Sequence, residues 1–306
     1  MTSIERMKSQ TIGVEIEMSN ITRWNAAKLA AEFFGTGRYG DTNHYNGYRT
    51  WSAWDSTGRE WKFQRDISIN DVEARQCELV TPILKYEEDI ELLQELVRVL
   101  RKAGAKSDAT RGCGVHIHIG KDGHNAKSLR NLINLMKVHE DQISEMIGIS
   151  EERKEQYCAP VDERLFDRVN AEKPRTMEAL ADVWYESQRC NYGRHDHYNS
   201  SRYHMLNLHA TFTKGTVEFR CFEFEAPKDG KQNGLHAGLL KAYILFCLAI
   251  NDCAKNCRYV PYNHTHEVSK EKFMYFLNGI GLGGEEFKTV RENLTRRLRT
   301  REELAA

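Results

Sequence analysis

The chain reads as an α+β protein: a largely antiparallel sheet with helices packed on its apolar face. Three observations predict this. Short segments alternate strictly between apolar and polar residues, as strands with one buried face do. Several are joined by turn signals short enough for hairpins. Long amphipathic stretches fall between groups of strands instead of following each strand singly, which favours an antiparallel sheet over a parallel one.

Taken in order, Thr11–Ser19 is the first strand, and Trp24–Phe34 has helical spacing that ends at Gly35. Residues 39–48 are polar and are expected to form a loop. Arg49–Trp54 and Arg59–Arg65 flank Asp55-Ser56-Thr57-Gly58, a hairpin turn. Glu78-Leu79-Val80-Thr81 is a short strand stopped by Pro82. Glu87–Ala103 places Ile90, Leu93, Leu96, Val97 and Leu100 on one helical face and stops at Gly104. A strand bounded by Gly112, Gly114 and Gly120 precedes a second long helix, Asn125–Gly148. Residues 151–199 are rich in Arg, Glu, Asp, Tyr and Asn, and read as an inserted excursion or lid with one weak helix over 176–189. Residues 204–209 and 216–225 resume strand alternation around Thr213-Lys214-Gly215, and Gly234–Ala254 is a third long helix. The tail from about residue 255 contains two polar helices around Gly279–Gly284. No internal repeat occurs, and a single domain over residues 1–306 is expected.

Composition narrows the function classes. The formal net charge is zero, so no global field draws the chain to nucleic acid or to an acidic membrane. The most apolar stretch, 235–253, contains His236, Lys241, Asn251 and Asp252 and reads as a buried helix. The first residues lack an apolar signal core, and the 8 cysteines form no CxxC pair, so free thiols in a cytoplasmic setting are expected.

Three strings carry the chemistry: Gly13-Val14-Glu15-Ile16-Glu17, Gly114-Val115-His116-Ile117-His118-Ile119 and Thr216-Val217-Glu218-Phe219-Arg220. Alternation puts each pair of functional side chains on one face, with Val, Ile or Phe on the other. Glu15 and Glu17 then sit ~6–7 Å apart, and two such charges repel unless a cation or base lies between them. Oxygen ligands suit Mg²⁺ or Mn²⁺. A solvated strand face is the plain alternative. His116 and His118 fit a Zn or non-haem Fe site, or two satisfied histidines. Glu218 and Arg220 fit a structural ion pair, or a metal ligand beside an arginine for phosphoryl oxygens. Glu78 opens its own strand, Asp66 ends another, and none of these faces carries a lysine. His264 and His266 read as loop decoration. Arg189, Arg194, His195, His197 and Arg202, with Tyr192, Tyr198 and Tyr203, could bind phosphate, stack on a base or line a solvated loop. Local signatures of a P-loop, a Gly-x-Ser-x-Gly serine hydrolase and a thiol enzyme are absent.

In order, Gly13-Val-Glu-Ile-Glu17, Asp66-x-Ser68, Glu78-Leu-Val-Thr-Pro82, Gly114-Val-His-Ile-His118 and Val217-Glu-Phe-Arg220 resemble the putative amidoligase family. That family belongs to the glutamine synthetase and glutamate–cysteine ligase superfamily of carboxylate–amine ligases. The resemblance implies a curved antiparallel sheet holding two or three Mg²⁺ ions between ATP and substrate. It assigns Glu15, Glu17, Glu78, His116 and Glu218 as metal ligands and Arg220, with Glu218, as catalytic. It places His118, Arg202 and Asn207 at the cofactor. The implied reaction activates a small-molecule or peptide carboxylate as an acyl phosphate, which an amine then attacks. Two other readings stand beside it: a His/Glu metal-dependent hydrolase or oxygenase without nucleotide, and an inactive scaffold on the same fold. No nucleic-acid or membrane partner is expected.

Overall fold

The computed structural model describes residues 1–305 apart from 44, 46, 189–192, 227–233 and 263–267. The chain begins α1 (Ser3–Lys8), β1 (Thr11–Met18), α2 (Arg23–Phe33), β2 (Tyr39–Asn43), β3 (Thr50–Trp54), β4 (Glu60–Gln64), β5 (Cys77–Val80), β6 (Leu84–Lys85) and α3 (Tyr86–Lys102). It continues with β7 (Val115–Gly120), α4 (Ala126–Ile147), α5 (Glu151–Gln156), α6 (Glu163–Glu172), α7 (Met177–Ser187), β8 (Leu206–Asn207), α8 (His209–Thr213) and β9 (Thr216–Phe222). It closes with α9 (Ala237–Asn256), α10 (Lys270–Leu277), α11 (Lys288–Thr295) and α12 (Arg301–Ala305). These elements form two compact units, Thr11–Ile117 with Phe222–Lys241, and Met1–Gln10 with His118–Cys221 and Ala242–Ala306.

The first unit is an antiparallel sheet in the order β2-β3-β4-β5-β1, with β6 also paired to β1 and the first half of β7 beside it. Strict alternation drives Val14, Ile16 and Met18 of β1, Trp61 and Phe63 of β4, and Leu79 of β5 into the core. Ala26, Ala27, Ala30 and Ala31 are fully buried on α2, which packs against β3 and β4. Four alanines on one stripe let that helix approach the sheet closely. Helix α3 packs on α2 and buries Leu93, Leu96, Val97 and Leu100, the face its periodicity predicts. β2 corrects the expectation of a polar loop. It is an edge strand, mostly exposed, with a register shift between Asp41 and Asn43. An edge strand with no buried face has no apolar alternation to reveal it.

The second unit gathers α1, α4–α8, β8, β9, the second half of β7, most of α9 and the C-terminal helices. Gln10 pins the segment after α1 to α9: its Nε2 donates to Leu248 O at 2.9 Å, and its Oε1 accepts from Asn251 Nδ2 at 2.8 Å and Lys255 Nζ at 2.6 Å. α9 is long and apolar enough to cross a membrane by length and composition, yet 83% of its most apolar window is buried inside the protein. That is the burial its interspersed polar residues predict.

Residues 151–199 are more regular than the excursion with one helix over 176–189 that the sequence predicts. They form three capped helices, with Ser150, Asp162 and Thr176 accepting from the backbone N–H of Arg153, Leu165 and Ala179. Leu165, Phe166, Val169, Leu180, Val183 and Trp184 give α6 and α7 a core of their own. Dense charge on the outer faces hid this short apolar stripe. The strand expected over 204–209 shortens to β8, because the chain turns into α8 with Ala210 N donating to Asn207 Oδ1 at 3.3 Å. The seven described cysteines are free thiols, as expected.

The β3–β4 turn is held by one buried carboxylate. Asp55 Oδ1 accepts from Thr57 N, Thr57 Oγ1 and Arg59 N, while Oδ2 accepts from Arg59 Nε and Trp61 Nε1. Arg59 then grips Asp89 of α3 with both terminal nitrogens, at 3.0 and 2.8 Å. Burial alone would raise the Asp55 pKa, but the bonds from Trp61, Thr57 and Arg59 outweigh it and hold the value at about 2. Asp55 therefore binds its proton more weakly folded than unfolded. Its contribution is present above the ordinary carboxylate range and is lost as pH falls towards 2. Asp55→Asn is expected to cost about 2 kcal/mol at pH 7 in chemical denaturation, with the gap from wild type closing as pH falls below 4. A cost that does not change with pH contradicts this account of the turn.

Candidate functional site

Within the first unit, the polar face of the sheet concentrates carboxylates. β1 and β5 pair so that Glu17 lies opposite Glu78, and β4 places Gln64 opposite Glu78 on the other side. Glu17 and Glu78 are each 4% exposed and His116 is 5% exposed, whereas Glu15 is only partly buried. Like charges directly opposite on a ladder are destabilising, more so out of water. Some compensation is built in. Glu17 Oε2 accepts from Gly114 N at 2.5 Å, and Glu78 Oε2 accepts from Gln64 Nε2 at 2.7 Å. His116 Nδ1 lies 3.0 Å from Glu15 Oε2, and its Nε2 lies 3.9 Å from Glu17 Oε1. No Lys or Arg among the described residues pairs with Glu17 or Glu78.

Two ion-sized groupings result. Ligand atoms of Glu15, Glu78 and His116 lie within 4.8 Å of one another, and so do those of Glu17, Asp66 and Glu78. Glu78 belongs to both. Burial pushes its pKa well above the ordinary carboxylate range, and the charges of Glu15, Asp66 and Glu17 push it further against the opposing Gln64 hydrogen bond. A buried carboxylate that cannot ionise comfortably among other carboxylates has the donor chemistry of a divalent-cation ligand. Oxygen outnumbers nitrogen in both groups, which suits Mg²⁺ or Mn²⁺ better than a soft ion.

Within the second unit, a separate set centres on Glu218, which is 2% exposed. β8 pairs with β9 so that Asn207 lies opposite Glu218, and Asn207 Nδ2 donates to Glu218 Oε2 at 2.6 Å. Arg220 Nη1 donates to Glu218 Oε1, and the Arg220 backbone N–H donates to Met205 O at 2.9 Å. His118 Nε2 lies 3.9 Å from Glu218 Oε1, and its Nδ1 meets Thr216 Oγ1 at 3.0 Å. The Arg220 guanidinium rests 5.8 Å from the Tyr203 ring centroid, and Arg202 lies 5.6 Å from the same ring. Arg202 Nη1 donates to His197 O at 3.0 Å, so the loop holds it and Glu218 does not.

The sequence-predicted residues thus fall into two groups. Glu15, Glu17, Glu78 and His116 stand together in one unit. His118, Asn207, Glu218 and Arg220 stand together in the other, with Arg202 across Tyr203. Sequence reasoning left Asp66 without a role, although the string Asp66-x-Ser68 was visible; its side chain accepts from Ser68 N at 2.7 Å, the local turn that brings it to the cluster. Gln64 and Thr216 were missed because each is an ordinary strand residue until its partner is known. Of the other candidates, Arg194 pairs with Asp182 and stacks on Tyr185. Arg189, Tyr192, His264 and His266 lie outside the described residues.

The cluster makes a stability prediction. Glu78 has a raised folded pKa, so its contribution is full below the unfolded value and is lost as pH rises through the folded one. The metal-free protein should therefore lose thermal stability as pH rises above the ordinary carboxylate range, and Mn²⁺ should restore it. Glu78→Gln should raise the metal-free Tm at pH 8 and abolish the Mn²⁺-induced shift, because it removes a charge shared by both groupings. A Glu78→Gln protein that still gains the full shift contradicts a bridging role.

The sequence model of the family described as putative amidoligase enzyme matches residues 8–251. No curated protein matches the chain. Among solved structures, a bifunctional glutathione synthetase from Pasteurella multocida is similar at 15% identity, with a TM-score of 0.42. The match covers 98% of this chain and 48% of that one, so the chain spans about half the length of that protein. All the ligand and arginine positions described above fall inside the matched 8–251 segment, and by that match the chain belongs to the putative amidoligase enzyme family.

Proposed function

We propose that this protein is an ATP-dependent carboxylate–amine ligase of the glutamine synthetase and glutamate–cysteine ligase type. It would join a small-molecule or peptide carboxylate to an amine through an acyl phosphate. The observation that carries the reading is the buried carboxylate cluster whose two ion-sized groupings share Glu78. Glu15, Glu17, Asp66, Glu78 and His116 would hold divalent ions there, and such ions would neutralise charge on a transferring phosphoryl group. Each grouping in this cluster has at most one imidazole, which weighs against the Zn or Fe hydrolase and oxygenase alternative.

The remaining roles belong to the chain's own side chains. A free carboxylate is a poor electrophile, so an amine needs it activated first. Arg220 would stabilise the negative charge that develops during phosphoryl transfer. Its guanidinium is oriented by Glu218, which Asn207 orients in turn. This relay keeps the planar fork in place before substrate arrives and spares the cost of ordering it during reaction. In this reading Glu218 also serves as a metal ligand, while His118, Asn207 and Arg202 contribute to the nucleotide side.

The test is the nucleotide product. Hydroxylamine, which traps an activated carboxylate as a hydroxamate, replaces the unknown amine while carboxylates are screened with ATP and Mg²⁺. One ADP and one phosphate per hydroxamate are expected, read by phosphorus NMR. AMP and pyrophosphate would overturn the acyl-phosphate route, and no nucleotide turnover with any carboxylate would count against the ligase reading. In the same assay Arg220→Lys should still bind ATP, yet lose ~2–4 kcal/mol of transition-state stabilisation, since lysine keeps the charge but not the fork. Turnover at the wild-type rate would make Arg220 a structural partner only.

A further inference from the structure

Five of the described cysteines, Cys77, Cys113, Cys158, Cys221 and Cys247, are buried and inert by position. Cys253 and Cys257 are different. Both are partly exposed, and they lie one helical turn apart where α9 ends, with Cys257 N donating to Cys253 O at 2.8 Å. Residues four apart on a helix share a face. The Cys257 sulfur also receives a hydrogen bond from Asn131 Nδ2 of α4 at 3.3 Å. Both cysteines lie beyond the matched 8–251 segment, so nothing in the family match accounts for them.

We propose that Cys253 and Cys257 form a peroxide-reactive dithiol, with Cys257 the attacking sulfur and Cys253 the resolving one. In the first step the Cys257 thiolate attacks a hydroperoxide oxygen. The O–O bond breaks, Cys257 becomes a sulfenic acid, and hydroxide or alkoxide leaves with the electron pair. In the second step the Cys253 sulfur attacks the Cys257 sulfur. A disulfide forms, the Cys253 proton joins the departing hydroxyl, and water leaves. The hydroperoxide takes up the two electrons that the thiols give.

The surroundings assign these roles. The nearness of the Cys253 thiol, opposed by burial and aided by Lys127, brings the Cys257 pKa down to about 7. The nearness of the Cys257 sulfur, with burial and the charges of Cys257 and Asp252, pushes the Cys253 thiol up, so it keeps its proton. Carbonyls at a helix C-terminus oppose an anion. Here Asn131 Nδ2, whose two hydrogens are shared with the Cys257 sulfur, lies 3.3 Å from Ala254 O and 3.1 Å from Cys257 O, and the Cys257 thiol when protonated donates to Ala254 O at 3.8 Å. The helical i,i+4 spacing of about 6 Å between Cα atoms lies within disulfide range, and drawing the β-carbons together falls on the last turn of α9, where the helix already ends. Among the described residues no third His, Cys, Asp or Glu joins the pair to complete a metal site, which favours thiol chemistry over metal capture.

The test uses the intact protein and does not depend on the ligase reading. Iodoacetamide labelling, read by peptide mass spectrometry at pH 7, should modify Cys257 at least ~10-fold faster than Cys253. Hydrogen peroxide should then remove about 2 Da from wild type as the disulfide forms, reversibly with dithiothreitol. In Cys253→Ser the product should stop at a sulfenic acid that dimedone captures on Cys257. Equal labelling of the two cysteines overturns the role assignment. A wild-type protein that gains oxygen at Cys257 without forming the cross-link, or that does not react, overturns the dithiol.

Discussion

Glu17 and Glu78 face each other across the β1–β5 ladder, both nearly sealed from water. A sheet that needed only to fold would not place two carboxylates there. The ladder fixes their backbones, the apolar residues alternating with them are locked in the core, and neither side chain can move to the other face without a slip of strand register. The surrounding groups soften the repulsion without cancelling it: Gly114 N on Glu17, Gln64 on Glu78, and His116 between Glu15 and Glu17. A neutralising lysine would have been the economical solution for stability alone. Its absence from the described neighbours of Glu17 and Glu78 is the physical content of the cation-site reading.

The Glu218 set solves the same problem differently. There the buried carboxylate has its own guanidinium from Arg220 and an amide from Asn207. Charge is balanced within the chain, so its distinctive feature is orientation, not frustration. Under the ligase reading we propose, a carboxylate cluster short of positive charge and an arginine held rigid by a buried partner would be two electrostatic devices that serve phosphoryl transfer. Elsewhere the scaffold spends its polar groups on fixing geometry, as Asp55 does in tying the β3–β4 turn through Arg59 to α3.

Where side chains alternate against a solid core, the sequence was enough. Ile16 between Glu15 and Glu17, Ile117 between His116 and His118, and Phe219 between Glu218 and Arg220 are all fully buried, so parity alone placed the functional residues on their faces. The helices α3 and α4 were legible for the same reason at helical period. β2 was not, since an edge strand exposed on most of its length carries no alternation. α7 was legible over 176–189, whereas α5 and α6 were missed because their apolar stripes are short, although the caps Ser150 and Asp162 were in view. Asp66 escaped assignment because its position depends on a turn made with Ser68, and Gln64 because only the strand pairing sets it opposite Glu78. Such residues become visible only when long-range pairing is known.

The central claim is that the carboxylate cluster is the metal-free form of two neighbouring cation positions bridged by Glu78. Anomalous diffraction from crystals soaked in Mn²⁺ tests it directly. The account predicts two manganese peaks, one ligated by Glu15, Glu78 and His116 and the other by Glu17, Asp66 and Glu78, with a Glu78 oxygen on each. Manganese that leaves these residues unliganded while binding elsewhere, or no peak at this cluster under saturating metal, would contradict it.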